Sequence, residues 1–220
     1  MKTSKIILIS YLSLIGLLFL SFAITTGHRG FAGWEIEKQE EIIPDIRYIR
    51  LADGSRLNVE KGNTPAMVIE YLKDSVKRPL PYHVSGDTLI MESWEHFRYY
   101  TSFTVYTDKI ERVETRGGKV FLSLQQDSLE IVGQNKGTEI HLRKSSEIDH
   151  INALLKDHAR FHITESVINR INITTDNSFA NCDVPVKEVV MKATNQSEIY
   201  LNDVMHLQSE RDETSRLFVR

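Results

Sequence analysis

Four histidines, His141, His150, His158 and His162, fall within one short region, with Asp157 and Glu165 close by in sequence. Imidazole and carboxylate together suit zinc or another borderline metal. The spacing argues against such a site. His158 and His162 share parity in an extended chain, so both point away from a core that receives Phe161 and Ile163. At ~3.3 Å per residue they stand roughly 13 Å apart, too far to chelate one ion unless neighbouring strands contribute. The expectation is a solvated row of histidines, with no metal and no cofactor.

Carboxylates are the second source of chemistry. A glycosidase pair needs two of them roughly 5 to 9.5 Å apart, a distance that stacked strands can supply. Asp127, Glu130, Glu147, Asp149, Asp157, Asp176 and Asp183 offer many combinations, none within a distinctive motif and none beside loops long enough to wall a sugar cleft. No Gly-x-Ser-x-Gly elbow, phosphate loop, dinucleotide fingerprint or His-Glu-x-x-His occurs. The lone cysteine, Cys182, excludes an intramolecular disulfide and the paired-cysteine zinc spacings. With no basic neighbour to lower its pKa, it reads as a small buried residue. No catalytic residue is expected, and the chain does not read as an enzyme.

The segment from Trp94 to Phe103 concentrates aromatics between two strands. Exposed rings beside polar groups stack sugars or partner side chains, which makes Trp94, Phe97, Tyr99 and Tyr100 the candidate partner contacts. The plain alternative is a hairpin whose rings close the side of the fold. Asn172-Ile173-Thr174 and Asn195-Gln196-Ser197 fit a glycosylation acceptor pattern, but also suit asparagines bonded to their equivalents above and below in a stack.

These residues need elements to hold them. From Lys119 to Val219 apolar pairs two residues apart recur: Val120/Leu122, Leu129/Ile131, Ile140/Leu142, Phe161/Ile163, Ile171/Ile173, Cys182/Val184, Val189/Met191, Ile199/Leu201 and Leu217/Val219. That period belongs to half-buried strands, and their advance by roughly 10 or 20 residues marks a stacked repeat. Strand signals continue upstream at Ile46/Tyr48, Leu57/Val59, Val68/Ile69, Leu89/Met91, Phe103/Val105 and Ile110/Val113, separated by glycine turns at 52–55, 61–63, 85–87 and 116–118. Pro79 and Pro81 mark an irregular or edge segment. The fold expected is all-β, a parallel β-solenoid over residues 45–220. Its unpaired edges lie at the ends, where homo-oligomers could form, although the charged run Gln208 to Arg216 opposes such pairing.

Ahead of it, the nineteen residues from Ile6 to Ile24 carry no charge and no proline. At 1.5 Å rise they cross nearly all of a ~30 Å hydrocarbon layer as one helix. Residues 1–30 therefore read as a transmembrane or signal-anchor segment and 31–44 as a linker; the competing reading is a cleaved signal with Ser21-Phe22-Ala23 at the site. Lys2 and Lys5 favour an inside N-terminus, which leaves the domain extracytoplasmic, in the periplasm or at the cell surface. The chain has 27 basic and 30 acidic residues; without Lys2 and Lys5 the remainder holds 25 against 30, a formal charge of -5. Nothing in that balance attracts a phosphate backbone, so nucleic acid is not an expected partner.

The stretches Ile46–Leu51, Leu57–Gly62, Ala66–Glu70, Gly86–Met91 and Phe103–Tyr106, followed by rungs such as Asp127–Ile131 and Asn195–Leu201, resemble the bacterial auto-transporter adhesin head GIN domain family. The resemblance covers most of Asp45 to Val219. It departs at Glu147 to His162, charged and histidine-rich where such rungs are glycine- and serine-rich, and at the aromatic segment. It implies an envelope-associated β-solenoid, proposed to act in adhesion, and supplies no catalytic residues. The reading is a non-catalytic, membrane-tethered module that binds an extracytoplasmic polymer or protein. The alternatives are a polymerising membrane scaffold and, less favoured, a polysaccharide-active β-helix enzyme.

Overall fold

Alternating inward and outward residues make strands here, and small residues make the corners between them. A computed structural model describes residues 35–73, 80–93, 100–143 and 145–220, residues 100 and 101 by backbone alone. Almost all of them lie in one unit, Glu37–Arg220; of the other, Met1–Ile36, only residues 35 and 36 are described. The membrane span expected from Ile6 to Ile24 lies outside the described residues.

In chain order the strands are β1 (Ile36–Ile42), β2 (Tyr48–Leu51), β3 (Arg56–Lys61), β4 (Ala66–Leu72), β5 (Tyr82–Ser85), β6 (Thr88–Met91), β7 (Tyr100–Thr107), β8 (Arg112–Arg116), β9 (Lys119–Ser123) and β10 (Gln125–Gln134). They continue as β11 (Glu139–Leu142), β12 (Glu147–Lys156), β13 (Arg160–Ile163), β14 (Val167–Asp176), β15 (Phe179–Cys182), β16 (Val186–Thr194), β17 (Glu198–Leu201), β18 (Val204–Arg211) and β19 (Arg216–Val219). One sheet has the order β1-β4-β7-β3-β9-β11-β13-β15-β17-β19 and the other β18-β16-β14-β12-β10-β8-β2-β6-β5. Each turn of the solenoid gives one strand to each sheet, and from β8/β9 to β18/β19 successive turns stack in parallel and in order.

The stacked core follows the expected apolar pairs except the last, Leu217/Val219, where Leu217 is half-buried and Val219 is 49% exposed in the final turn. Val120, Ile140, Phe161, Ile199 and their partners two residues on are buried, with Phe161 at 1% exposure. β12 and β18 carry no such apolar pair in the sequence reading. In β12 Ile151, Ala153 and Leu155 face inward, but the small Ala153 and the outward apolar Leu154 hide the period. In the N-terminal part Leu57/Val59, Leu89/Met91 and Phe103/Val105 are buried as expected, but at β2 the parity shifts by one: Ile49 and Leu51 face the core, whereas Tyr48 is half-buried.

One small buried residue precedes each strand of the second half-turn: Ser55, Gly118, Thr138, Ala159, Ser178, Ser197 and Ser215. The next residue donates its N–H to the carbonyl of the small residue one turn below. Lys119 N to Ser55 O is 2.8 Å, Arg160 N to Thr138 O 3.0 Å, and Arg216 N to Ser197 O 2.8 Å. Space is tight because corners stack directly; a Cβ on Gly118 would sit 2.7 Å from Ser55 Oγ and 2.9 Å from the Ala52 carbonyl oxygen. His158 belongs to one of these corners, in a left-handed conformation with φ of 69°, and not to a strand as its parity had implied.

The stack is not sequential throughout. The β6/β7 turn lies outside β2/β3, with β6 parallel to β2 and β7 parallel to β3, while β8/β9 stacks on the other side of β2/β3. Antiparallel β4 and β5 then close that end against β7 and β6, and β1 lies beside β4. Pro81 directly precedes β5, where no further strand needs its missing donor. At the other end two of the inward columns change character, while Leu207, Leu217 and Val219 continue others as apolar. Ile131, Ala153, Ile173 and Met191 are followed by Ser209, and Leu155, Thr175 and Ala193 by Arg211. Inward polar and charged positions discourage further strand addition. Arg211 reaches the Ser215 carbonyl at 3.5 Å, and the Asp212 carboxylate accepts backbone N–H groups from Asn195, Thr214 and Ser215, the first of these foremost in holding its pKa down to about 2.

Candidate binding face

A solenoid offers two broad outer faces, and here they differ. On the nine-stranded sheet the outward side chains satisfy one another. Arg112 pairs with Glu130 at 3.1 Å, Arg116 with Glu114 at 3.0 Å, Arg170 with Glu188 at 2.6 Å and Lys192 with Glu210 at 2.9 Å. Asn172 donates to Asn152 of the turn below at 3.0 Å, the asparagine stacking that its sequence context suggests.

The ten-stranded sheet turns two outward columns to its surface. The first runs Arg56, Lys119, Glu139, Arg160, Phe179, Glu198, Arg216; the second runs Asn58, Phe121, His141, His162, Asn181, Tyr200, Phe218. In the second column the rings stack at the rung step. Phe121 and His141 have centroids 4.9 Å apart, His141 and His162 4.9 Å at 11°, and Tyr200 and Phe218 4.5 Å at 10°. Arg143 and Arg56 lie over Phe121, at 3.7 and 4.9 Å from its centroid. Burial lowers the pKa of His141, helped by the neighbouring His162, and burial likewise lowers that of His162.

The row breaks once. At β15 the second column holds Asn181, and the ring comes from Phe179 in the first column. Phe179 lies 5.5 Å from both His162 and Tyr200, tilted 40° to each, whereas the other rings lie closer and nearer to parallel. Parallel rings at the rung step cover each other's faces, except at the end of the row, where Phe218 is 40% exposed; the tilted, displaced Phe179 ring is half-buried and less covered by its neighbours. Phe179 accordingly lines two clefts. One, of about 480 Å³, also has Lys136, Glu139, His158, Arg160, Asn177 and Glu198 among its walls. The other, of about 390 Å³, includes Asn181, Asp183, Tyr200 and Phe218.

Charge is unevenly matched in the larger cleft. Glu139 is held by Lys119 at 2.9 Å, which keeps its carboxyl below the usual range, and Glu198 meets Arg216 at 3.6 Å. Among the described residues the side chains of Arg160 and Lys136 have neither ion pair nor hydrogen bond. Two cations thus face the cleft without a carboxylate of their own.

The other candidates from the sequence are dispersed. His150 bonds Asn152 at 3.0 Å on the nine-stranded sheet, and His158 meets the Asn177 carbonyl at 3.3 Å in a corner. Only His141 and His162 are brought together, through adjacent turns and as parallel rings. No group of three or more histidine, cysteine, aspartate or glutamate side chains among the described residues is placed to hold a metal. Of the acids, Asp149 accepts from Asn169 and Asp176 from Asn195, each as a local support. Cys182 is buried, with burial raising its pKa to about 11. Trp94, Phe97 and Tyr99 lie outside the described residues, and Tyr100 opens β7 with its side chain likewise outside them. The ring row, which period alone does not single out, has a signal in the sequence: in Val-Phe-Leu, Ile-His-Leu, Phe-His-Ile, Ile-Tyr-Leu and Leu-Phe-Val the residue between two apolar positions is always a ring.

No family model matches the sequence, and no curated protein matches it. Solved structures do. A "putative adhesin" from Parabacteroides distasonis superposes with a TM-score of 0.60 at 8% identity over 84% of this chain and 94% of that one. A second so named, from Parabacteroides merdae, gives 0.58 at 12% identity over 84% and 96%. A "putative lipid binding protein" from Parabacteroides distasonis gives 0.51 at 11% identity over 84% and 94%. At these identities the likeness is one of fold.

Proposed function

We propose that this chain is a non-catalytic binding module of the adhesin type, held at a membrane by its N-terminal segment, with an extended extracytoplasmic polymer as its partner and the outer face of the ten-stranded sheet as its binding face. The break in the ring row at Phe179 carries this reading. It is the one place along that row where ring face, two clefts and unpaired cations coincide. A rigid stack repeats its side chains every ~4.8 Å, a step suited to a regular, extended partner. The names of the structural neighbours support a binding role, and the sequence resemblance to the GIN domain family supports an envelope address. In the last turn Arg211 and Ser209 oppose end-on growth, whereas Leu207 and Val219 leave apolar surface there, so the scaffold alternative is kept as the second reading.

The test is retention of purified envelope polysaccharide by the immobilised full chain. Retention that falls in a folded Phe179→Ala variant and is unchanged in Asn172→Ala, on the opposite sheet, supports the reading. Equal retention by both variants overturns it. Digestion of a C-terminal tag in intact or outer-layer-permeabilised cells supports the extracytoplasmic address; protection until full lysis contradicts it.

A further inference from the structure

Within that binding reading, we infer that the cleft beside Phe179 takes a carboxylated sugar unit of an acidic polysaccharide, its ring lying against Phe179 and its carboxylate directed to Arg160, with Lys136 as a second cation. Three observations converge on this chemistry. Phe179 and Arg160 are register partners on adjacent turns, so the two side chains leave the same side of the sheet from backbone positions one rung step apart. A sugar ring with an attached carboxylate presents an apolar face and an anion at comparable spacing.

Charge supplies the second argument. Glu139 and Glu198 lie on the turns before and after this pair, yet each already has a cation, Lys119 and Arg216 respectively. An incoming carboxylate therefore meets Arg160 and Lys136 without having to displace an existing partner. A neutral sugar would leave both cations solvated and use only the ring. The third argument is the supply of further donors at the rim, Asn177 and Gln196, which suits hydroxyl groups. Exposed guanidinium–carboxylate pairs are individually weak, so affinity for a polymer comes from repetition and from the ring contact, while Arg160 sets the preference for acid.

The experiment uses the full chain in detergent, titrated with oligogalacturonate and with the same oligomer after reduction of its carboxyl groups to neutral hydroxymethyls. The acidic oligomer should bind about fivefold more tightly, and Arg160→Gln should erase that margin while leaving the neutral oligomer unaffected. Phe179→Ala should weaken both oligomers by about tenfold. Arg112→Gln, on the opposite sheet, should change neither. Equal binding of the two oligomers to the wild-type chain, or a margin that survives Arg160→Gln, overturns the acidic preference; if Phe179→Ala still weakens both, the binding face itself stands. Binding of neither oligomer overturns the inference, and retention of envelope polysaccharide then decides separately whether the face is a binding face.

Discussion

Phe161→Ala tests whether the turns are held together by direct stacking of inward side chains. Phe161 is one of the largest fully buried side chains and sits in register between Ile140 on one turn and Ala180 on the next. Its truncation places two alanines in succession along one column, with a void that a rigid stack cannot close by sliding. Burying such a ring and losing it costs about 3–5 kcal/mol. For a domain of this size that lowers Tm by about 6–20 °C. The assay is urea unfolding with calorimetry, where the midpoint should fall while the slope with denaturant stays constant. Adding Ala180→Phe returns the ring from the neighbouring turn. The double variant should be more stable than additivity allows, by about 0.5–3 kcal/mol. A loss under about 1 kcal/mol for Phe161→Ala, or strict additivity in the pair, would refute a core built from stacked columns.

Gly118→Ala should cost about 1–3 kcal/mol, because its Cβ meets Ser55 Oγ and the Ala52 carbonyl within a stacked corner; chemical denaturation measures it. Cys182 should resist a thiol reagent at pH 8 in the native state, with its pKa raised to about 11, and label only as fast as the domain opens. The pKa values of His141 and His162 are lowered in the folded state, so the unfolded chain binds more protons as pH falls through ~6.5. Stability present above that pH is progressively lost below it until the folded-state pKa values are passed. His141→Phe should flatten this decline in a Tm series from pH 7.5 to 5; a profile unchanged by the substitution would place the titration elsewhere.

Much of the fold is legible because a strand's period is local. Val120/Leu122 and Ile140/Leu142 announce their own turns, and the residue before β3, β9, β11, β13, β15, β17 and β19 is small for a reason that the corner makes plain. The order of the turns is not local. Nothing in Thr88–Met91 or Tyr100–Thr107 says that β6/β7 must stack outside β2/β3, since that depends on which edges β4 and β5 close. The histidines illustrate the same limit. Read along one strand, His158 and His162 stand too far apart to share an ion, and in the fold they do not meet; the stack instead brings His141 to His162 across turns, which the single strand does not show, and sends His150 and His158 elsewhere. Phe179 was invisible as a site because its meaning lies in a mismatch: a ring in the first column where its neighbours above and below carry rings in the second.

The measurement that bears most directly on the binding face is site-specific photocrosslinking of the full chain in its own cells. A photoreactive p-benzoylphenylalanine replaces Asn181, beside the break, and in separate variants Asn172 on the opposite sheet or Phe97 in the aromatic segment. A polymer adduct from position 181, absent from position 172, is the predicted result. Adducts from position 172 or 97 with none from 181 would contradict it and move the binding face elsewhere.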